Sequence, residues 1–394
     1  MISEEFAAEL LLDLAVIILV AKVFEEIIGY YGYPPVLGDI LAGILLGPSI
    51  LDFLKPEIVE YLDVLKWLGI ISLLFLAGME TKFSEFIKSI KGSLYIAVGG
   101  IVFSYILGYL AGLIAGLNQA QSMFLGAILT ATSVGLTVKT LTDIGALGTK
   151  IFSTILGAAV LDDVGGLIVL GITTAIITSG AQRIEDLFIS VVIAIGFYIV
   201  TVYVLHKESR AIWRGIRYVS HLEDTSIALL LSLTLVIAWA SVKVNLSLVV
   251  GAYIVGLAFS EIRGAERVIS RFRLIPNIFA SIFFVLSAAT IDIKPYLANP
   301  EYLGFIGIVL LVGFAGKIIG CGISAKLSGF NKYESLFIGF GMLPRAEVAL
   351  VITALGAGYG VVTDSMVASV IILIYATSII TPIVLANIWK KIKK

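Results

Sequence analysis

Apolar runs follow one another along almost the whole chain, near residues 7–28, 35–50, 63–79, 94–116, 120–142, 151–179, 185–205, 224–241, 245–260, 276–291, 301–323, 333–358 and 364–388, those at 35, 245 and 276 being short for a bilayer. A hydrocarbon core of about 30 Å is spanned by about 20 helical residues, and in lipid only helices or closed barrels satisfy their own backbone. Runs such as VVIAIGFYIVTVYVL (191–205) do not alternate in polarity, which excludes a barrel. The chain therefore reads as an all-α membrane protein with 13 transmembrane helices. Composition agrees: 59% of the 394 residues are hydrophobic and 14% charged, against about 25% charged in soluble domains. Disorder and nucleic-acid binding are excluded on the same ground. Cys321 is the lone cysteine, so neither an internal disulfide nor a cysteine-based zinc site is available.

Basic residues fix the expected orientation. Placing the N-terminus outside gathers 19 of the 27 lysines and arginines on the inner side, from Lys82, Lys139 and Arg210 to the KKIKK tail. Lys55, Lys66, Arg183, Lys243 and Lys294 fall outside. By the positive-inside rule the C-terminus is cytoplasmic, and the protein belongs in the cell's inner (plasma) membrane as a multi-pass protein. The first run follows Glu4, Glu5 and Glu9 without a basic leader, so it reads as a mature helix.

Turn and small polar residues interrupt two of the runs, the fifth at TATSVG (130–135) and the twelfth at GMLPRAE (341–347). The twelfth comes seven helices after the fifth, an odd offset, so they enter from opposite faces. Two inverted-topology six-helix repeats would produce this, with residues 1–184 as the first repeat, 185–219 as a linking helix and cytoplasmic loop, and 220–394 as the second. The two broken helices are expected to cross.

Most charges lie near helix ends, where Lys22, Glu25, Glu26, Asp39 and Glu80 are expected to snorkel to the interface without a function. Asp162 and Asp163 lie deep in the sixth helix, where an unpaired carboxylate costs at least about 2.5–3.5 kcal/mol. Intramembrane acids line ion or proton paths more often than they form purely structural pairs. Consecutive helical residues project about 100° apart, so one acid faces a partner while the other faces a cavity. The partner is Lys317 in GFAGKIIG of the eleventh helix, since a buried lysine must pair or lose its proton. Arg345 and Glu347 sit at the twelfth-helix break, and their mutual pairing is favoured over contact with an ion.

A hard monovalent cation needs several oxygens, and an unwound helix supplies carbonyls beside the hydroxyls of Thr130, Thr132 and Ser133. Without the acids those hydroxyls would read as packing, bonded to their own helix. Burial disfavours a charged carboxylate, so the same group can hold a proton or a cation but not both. That competition couples the two movements and needs no fuel or cofactor.

The segments PPVLGDILAGILLGP (34–48), FLAGME (75–80), ATSVGLTVKTLTDIG (131–145), LGAAVLDDVGGLIVL (156–170), GFAGKIIG (313–320) and GMLPRAEVALV (341–351) resemble the monovalent cation:proton antiporters, specifically the thirteen-helix sodium/proton antiporters of bacteria and archaea. The likeness spans nearly the whole chain. It implies that Asp163 is the main ion- and proton-binding acid, that Asp162 pairs with Lys317, that Thr132 and Ser133 line the broken helix, and that Arg345 and Glu347 stabilise the crossing. It implies further an electrogenic exchange of two protons for one sodium or lithium ion, and a homodimer. Helices 1–3 and 8–10 would form the dimer domain and helices 4–6 and 11–13 a moving core.

Other readings are weaker. An intramembrane aspartyl protease needs acids on separate helices, and no phosphate-binding GxxxxGK[ST] loop occurs, so neither an enzyme nor an ATP-driven pump is expected. A cation channel would lack proton countertransport. Potassium/proton exchange is the serious alternative, because oxygen ligands alone do not select the ion.

Overall fold

The computed structural model describes residues 3–178, 181–219, 223–262, 264–289, 292, 294 and 300–393. Among these residues the chain forms sixteen helices and no strand. In order they are α1 (Glu4–Tyr30), α2 (Val36–Leu46), α3 (Pro56–Met79), α4 (Phe83–Ile114), α5 (Gln119–Thr130), α6 (Val134–Asp143), α7 (Lys150–Thr178) and α8 (Ala181–Val219). There follow α9 (Glu223–Lys243), α10 (Leu248–Phe259), α11 (Ala265–Phe272), α12 (Leu274–Ala289), α13 (Pro300–Leu327), α14 (Lys332–Gly341), α15 (Glu347–Gly358) and α16 (Asp364–Ile392). Eight spans among the described residues are long and apolar enough to cross a membrane, with α5 and α6 counted as one.

Local sequence sets the helix ends. Ser3 caps α1 by accepting from the Phe6 amide at 3.2 Å, and Pro56 opens α3 where its missing N–H costs nothing. The first halves of the two interrupted helices begin alike. Asn118 and Gln121 form a reciprocal capping box at α5, and Asn331 and Glu334 form one at α14.

Helix α8 departs from expectation, continuing through the segment read as a cytoplasmic loop as far as Val219. Residues 206–219 contain no proline and one glycine, so nothing stops the helix from carrying Lys207, Arg210, Arg214 and Arg217 beyond the apolar run. Helix α4 likewise begins eleven residues before its apolar run at 94, at Phe83.

The helices pack in two groups. In one, α3 lies against α10 and α12, and α2 against α1 and α12. In the other, α4 packs on α5, α7 and α13, and α13 also on α14 and α16. Contacts of α7 with α8, α6 with α3, and α16 with α2 join the groups. Small residues bring the helices close. A Cβ on Gly78 would stand 2.5 Å from the Tyr253 carbonyl oxygen, and one on Gly316 would stand 2.8 Å from Ser104 Cα. Outward faces stay apolar, as at Leu11, Leu19 and Ile199, which suits lipid contact.

The snorkelling expectation fails for several charges. Asp39 is 0% exposed and Glu25 is largely buried against α12. Glu80 is covered and paired with Arg273 at 2.7 Å. Lys139, counted among inner-side loop residues, is instead buried in α6 and paired with Asp143 at 2.9 Å. Helices α2 and α6 are short, so their terminal turns lie inside the bundle and the side chains have no route to the interface.

Candidate functional site

The backbone leaves helix at residues 131–133, between α5 and α6, and again at 342–346, between α14 and α15. Each interruption exposes amides and carbonyls that must find partners in a region without bulk water. They find them in each other. The Ser133 amide donates to the Pro344 carbonyl at 2.7 Å, and the Thr132 hydroxyl donates to the Met342 carbonyl at 3.2 Å. One turn further on, the Thr137 hydroxyl donates to the Gly341 carbonyl at 2.6 Å.

Arg345 fastens this junction. Its side chain is fully buried, and its two terminal nitrogens donate to the carbonyls of Ala131 in the first interruption and Gly313 in α13. The Thr377 hydroxyl of α16 accepts from the Arg345 amide at 3.3 Å. A guanidinium suits the position because its planar fork reaches two acceptors at once. The expected pairing with Glu347 cannot be described, since that side chain lies outside the described residues.

Beside the junction runs α7 with both aspartates. Lys317 Nζ donates to Asp162 Oδ1 at 2.7 Å, with the two side chains 0% and 1% exposed. The second oxygen, Asp162 Oδ2, is buried with no hydrogen-bond partner among the described residues. The pair is held where α13 packs on α4, and Gly100 allows the close approach of the two helices there, since a Cβ on it would stand 2.5 Å from Cys321 Sγ. Asp163 points elsewhere and is half-buried. Its Oδ2 accepts from the Ser247 hydroxyl at 3.0 Å, at the start of α10 in the other packing group. One acid is thus neutralised inside its own group while its neighbour faces the seam between groups.

The hydroxyls of the first interruption divide. Thr130 donates back to the Ala127 carbonyl of α5 at 2.7 Å, which is the helix-bonded arrangement of an ordinary packing residue. Ser133 Oγ is buried and has no hydrogen-bond partner among the described residues, so it remains available as an oxygen ligand. A cavity of about 110 Å³ reaches Ser133 and Ala346, one residue from each interruption. Phe283, Phe284 and Ser287 of α12 wall it on one side, and Leu136, Leu350 and Tyr375 on the other. It therefore opens along the seam between the packing groups, with room for several waters.

Two parts of this arrangement were absent from the sequence reading. Nothing in the local pattern around Ser247 ties it to Asp163, because that contact joins residues 84 positions apart. The mutual bonding of the two interruptions is likewise tertiary, although their matched positions hinted at it.

Two interrupted helices that bond each other inside an all-helical bundle, next to a buried acid–lysine pair, define a polytopic membrane transporter. The chain belongs to the sodium/hydrogen exchanger family, whose transmembrane domain it matches over residues 15–391. It is 35% identical over 345 residues to a probable Na+/H+ antiporter, GerT, of Bacillus cereus, covering 87% of this chain and 90% of that protein. It is 30% identical over 375 residues to GerN of the same organism, a Na+/H+-K+ antiporter, covering 95% of each. The fold matches the sodium proton antiporter MjNhaP1 of Methanocaldococcus jannaschii, with a TM-score of 0.69 at 16% identity over 98% of both chains.

Proposed function

We propose that the protein exchanges sodium for protons across the cell's plasma membrane by alternating access, with Asp163 as the group for which the two ions compete. The observation that carries this reading is the division of labour between neighbours: Lys317 neutralises Asp162, while Asp163 faces the seam. A carboxylate at such a boundary can load from one side and, after the groups shift, unload to the other. Ser133 Oγ, Thr132 and the freed carbonyls of the interruptions supply further oxygens for sodium or lithium. Arg345 holds the crossing, and Thr130 is a structural member of α5.

Thirteen crossings follow if α5 with α6 and α14 with α15 each count once and the eight-residue α11 lies at the surface. The paired capping boxes at α5 and α14 support two inverted repeats, 1–184 and 220–394. The two packing groups support a dimer domain built from the first to third and eighth to tenth crossings, and a core from the fourth to sixth and eleventh to thirteenth. A homodimer with external N-termini and cytoplasmic C-termini completes the proposal. Asp163, with the Asp162–Lys317 pair beside it, couples two protons to each sodium ion, so that one net charge crosses per cycle.

A second reading, potassium/proton exchange, is favoured by the likeness to a Na+/H+-K+ antiporter. Reconstitution into proteoliposomes at clamped voltage, with sodium, lithium or potassium gradients imposed in turn, tests both. Sodium and lithium should drive proton counterflow with a measurable current. Potassium-driven counterflow of equal size would shift the assignment to the second reading, and cation flux without proton counterflow would overturn antiport.

A further inference from the structure

A second set of charges, buried apart from Lys22, lies away from the two aspartates of α7, where α1, α2, α6 and α12 meet. Its members are Lys22 and Glu25 of α1, Asp39 of α2, and Lys139 and Asp143 of α6. Glu25 accepts from Lys22 at 2.8 Å through one oxygen and from Ser281 of α12 at 2.9 Å through the other. Asp143 accepts from Lys139 at 2.9 Å through one oxygen and from the Val36 amide at 3.0 Å through the other. Lys22 spends its remaining protons on the Asn277 carbonyl at 2.6 Å and the Ser281 hydroxyl at 2.8 Å.

Asp39 is left over. It is 0% exposed, and neither of its oxygens has a hydrogen-bond donor among the described residues. The charged groups that face it are Glu25 and Lys22 on α1 and Lys139 on α6. Helix α12 offers the neutral Ser281 and Asn277, and α16, which also touches α2, has no charged side chain between Asp364 and Lys390. Three acids stand against two lysines, and the acid without a donor is the deepest of them. A fully buried carboxylate that accepts no hydrogen bond is too costly to keep ionised.

We propose that Asp39 is a proton-binding site separate from the two aspartates of α7, occupied in the conformation seen here and emptied when Lys139 closes onto it. Lys139 is buried beside Asp39, has one acceptor, Asp143, among its hydrogen bonds, and retains two further N–H groups for another. Helix α6 hangs from the first interruption, so a shift of that junction moves Lys139 relative to α2. On that approach the O–H bond of Asp39 breaks, the carboxylate keeps the electron pair, the proton passes to water, and Lys139 is shared between Asp39 and Asp143 without being chemically altered, which leaves the cluster one negative charge richer. The site does not depend on the role given to Asp163.

Infrared spectroscopy of the purified full-length protein reads the proton directly. At neutral pH the wild-type minus Asp39→Asn difference should contain the C=O stretch of one protonated carboxyl, fading as the sample is titrated to alkaline pH. Asp39→Glu keeps the acid and should shift the band without abolishing it, so it reads the same assignment should the amide variant not fold. Wild-type and variant spectra that superimpose in this region at every pH would show Asp39 ionised and overturn the proposal.

Discussion

Removing Lys317 should destabilise the protein by stranding a buried charge, and replacing the charge's owner should undo the loss. Its ammonium is the hydrogen-bond donor to Asp162 Oδ1, at 2.7 Å, and Oδ2 has no partner among the described residues, so Lys317→Ala strips the carboxylate of the only donor found there. Neither side chain is accessible to water, and breaking a buried pair of this kind costs about 3–5 kcal/mol. Replacing Asp162 as well removes the stranded charge, so Lys317→Ala/Asp162→Asn should recover most of that loss. Thermal unfolding in detergent reads both variants against the wild type. A single variant that melts with the wild type, or a double variant that melts as low as the single one, would refute the ion pair as a stabilising element.

Other outcomes follow from packing and hydrogen bonding. Gly78→Ala forces a methyl to within 2.5 Å of the Tyr253 carbonyl oxygen and should separate α3 from α10, costing about 1–3 kcal/mol in thermal stability; an unchanged melting temperature would mean that the helices stand further apart. Arg345→Lys keeps the charge but cannot hold the Ala131 and Gly313 carbonyls together. Loss of one charged hydrogen bond, about 1.5–3 kcal/mol, should appear as lower stability together with slower exchange in proteoliposomes, and wild-type behaviour in both would show that the fork is dispensable. Asp163→Asn should fold normally yet abolish sodium-driven proton movement, and undiminished exchange would remove Asp163 from the ion path.

Much of this architecture was legible because lipid leaves a chain few options. Runs of apolar residues gave helices, and TATSVG and GMLPRAE gave interruptions that the structure places at 131–133 and 342–346. Asp162, Asp163 and Lys317 stood out because ionisable groups are expensive at that depth. The reading failed where short helices broke the link between sequence position and depth. Asp39 and Lys139 lie near the ends of their apolar runs and looked able to reach water, yet α2 and α6 are short enough to leave both inside the bundle. Ser247 went unnoticed for a different reason: a serine at a helix start ordinarily caps its own helix, and here it makes no cap bond, donating to Asp163 across the seam. Thr130, singled out with its neighbours, turned out to bond its own helix.

The competition at Asp163 is most directly tested by adding sodium to the purified, weakly buffered protein at a pH where the site is part-protonated and counting the protons released. The account predicts release that saturates with sodium in the wild type and disappears in Asp163→Asn. Sodium binding without proton release, or release that survives in the variant, would contradict it.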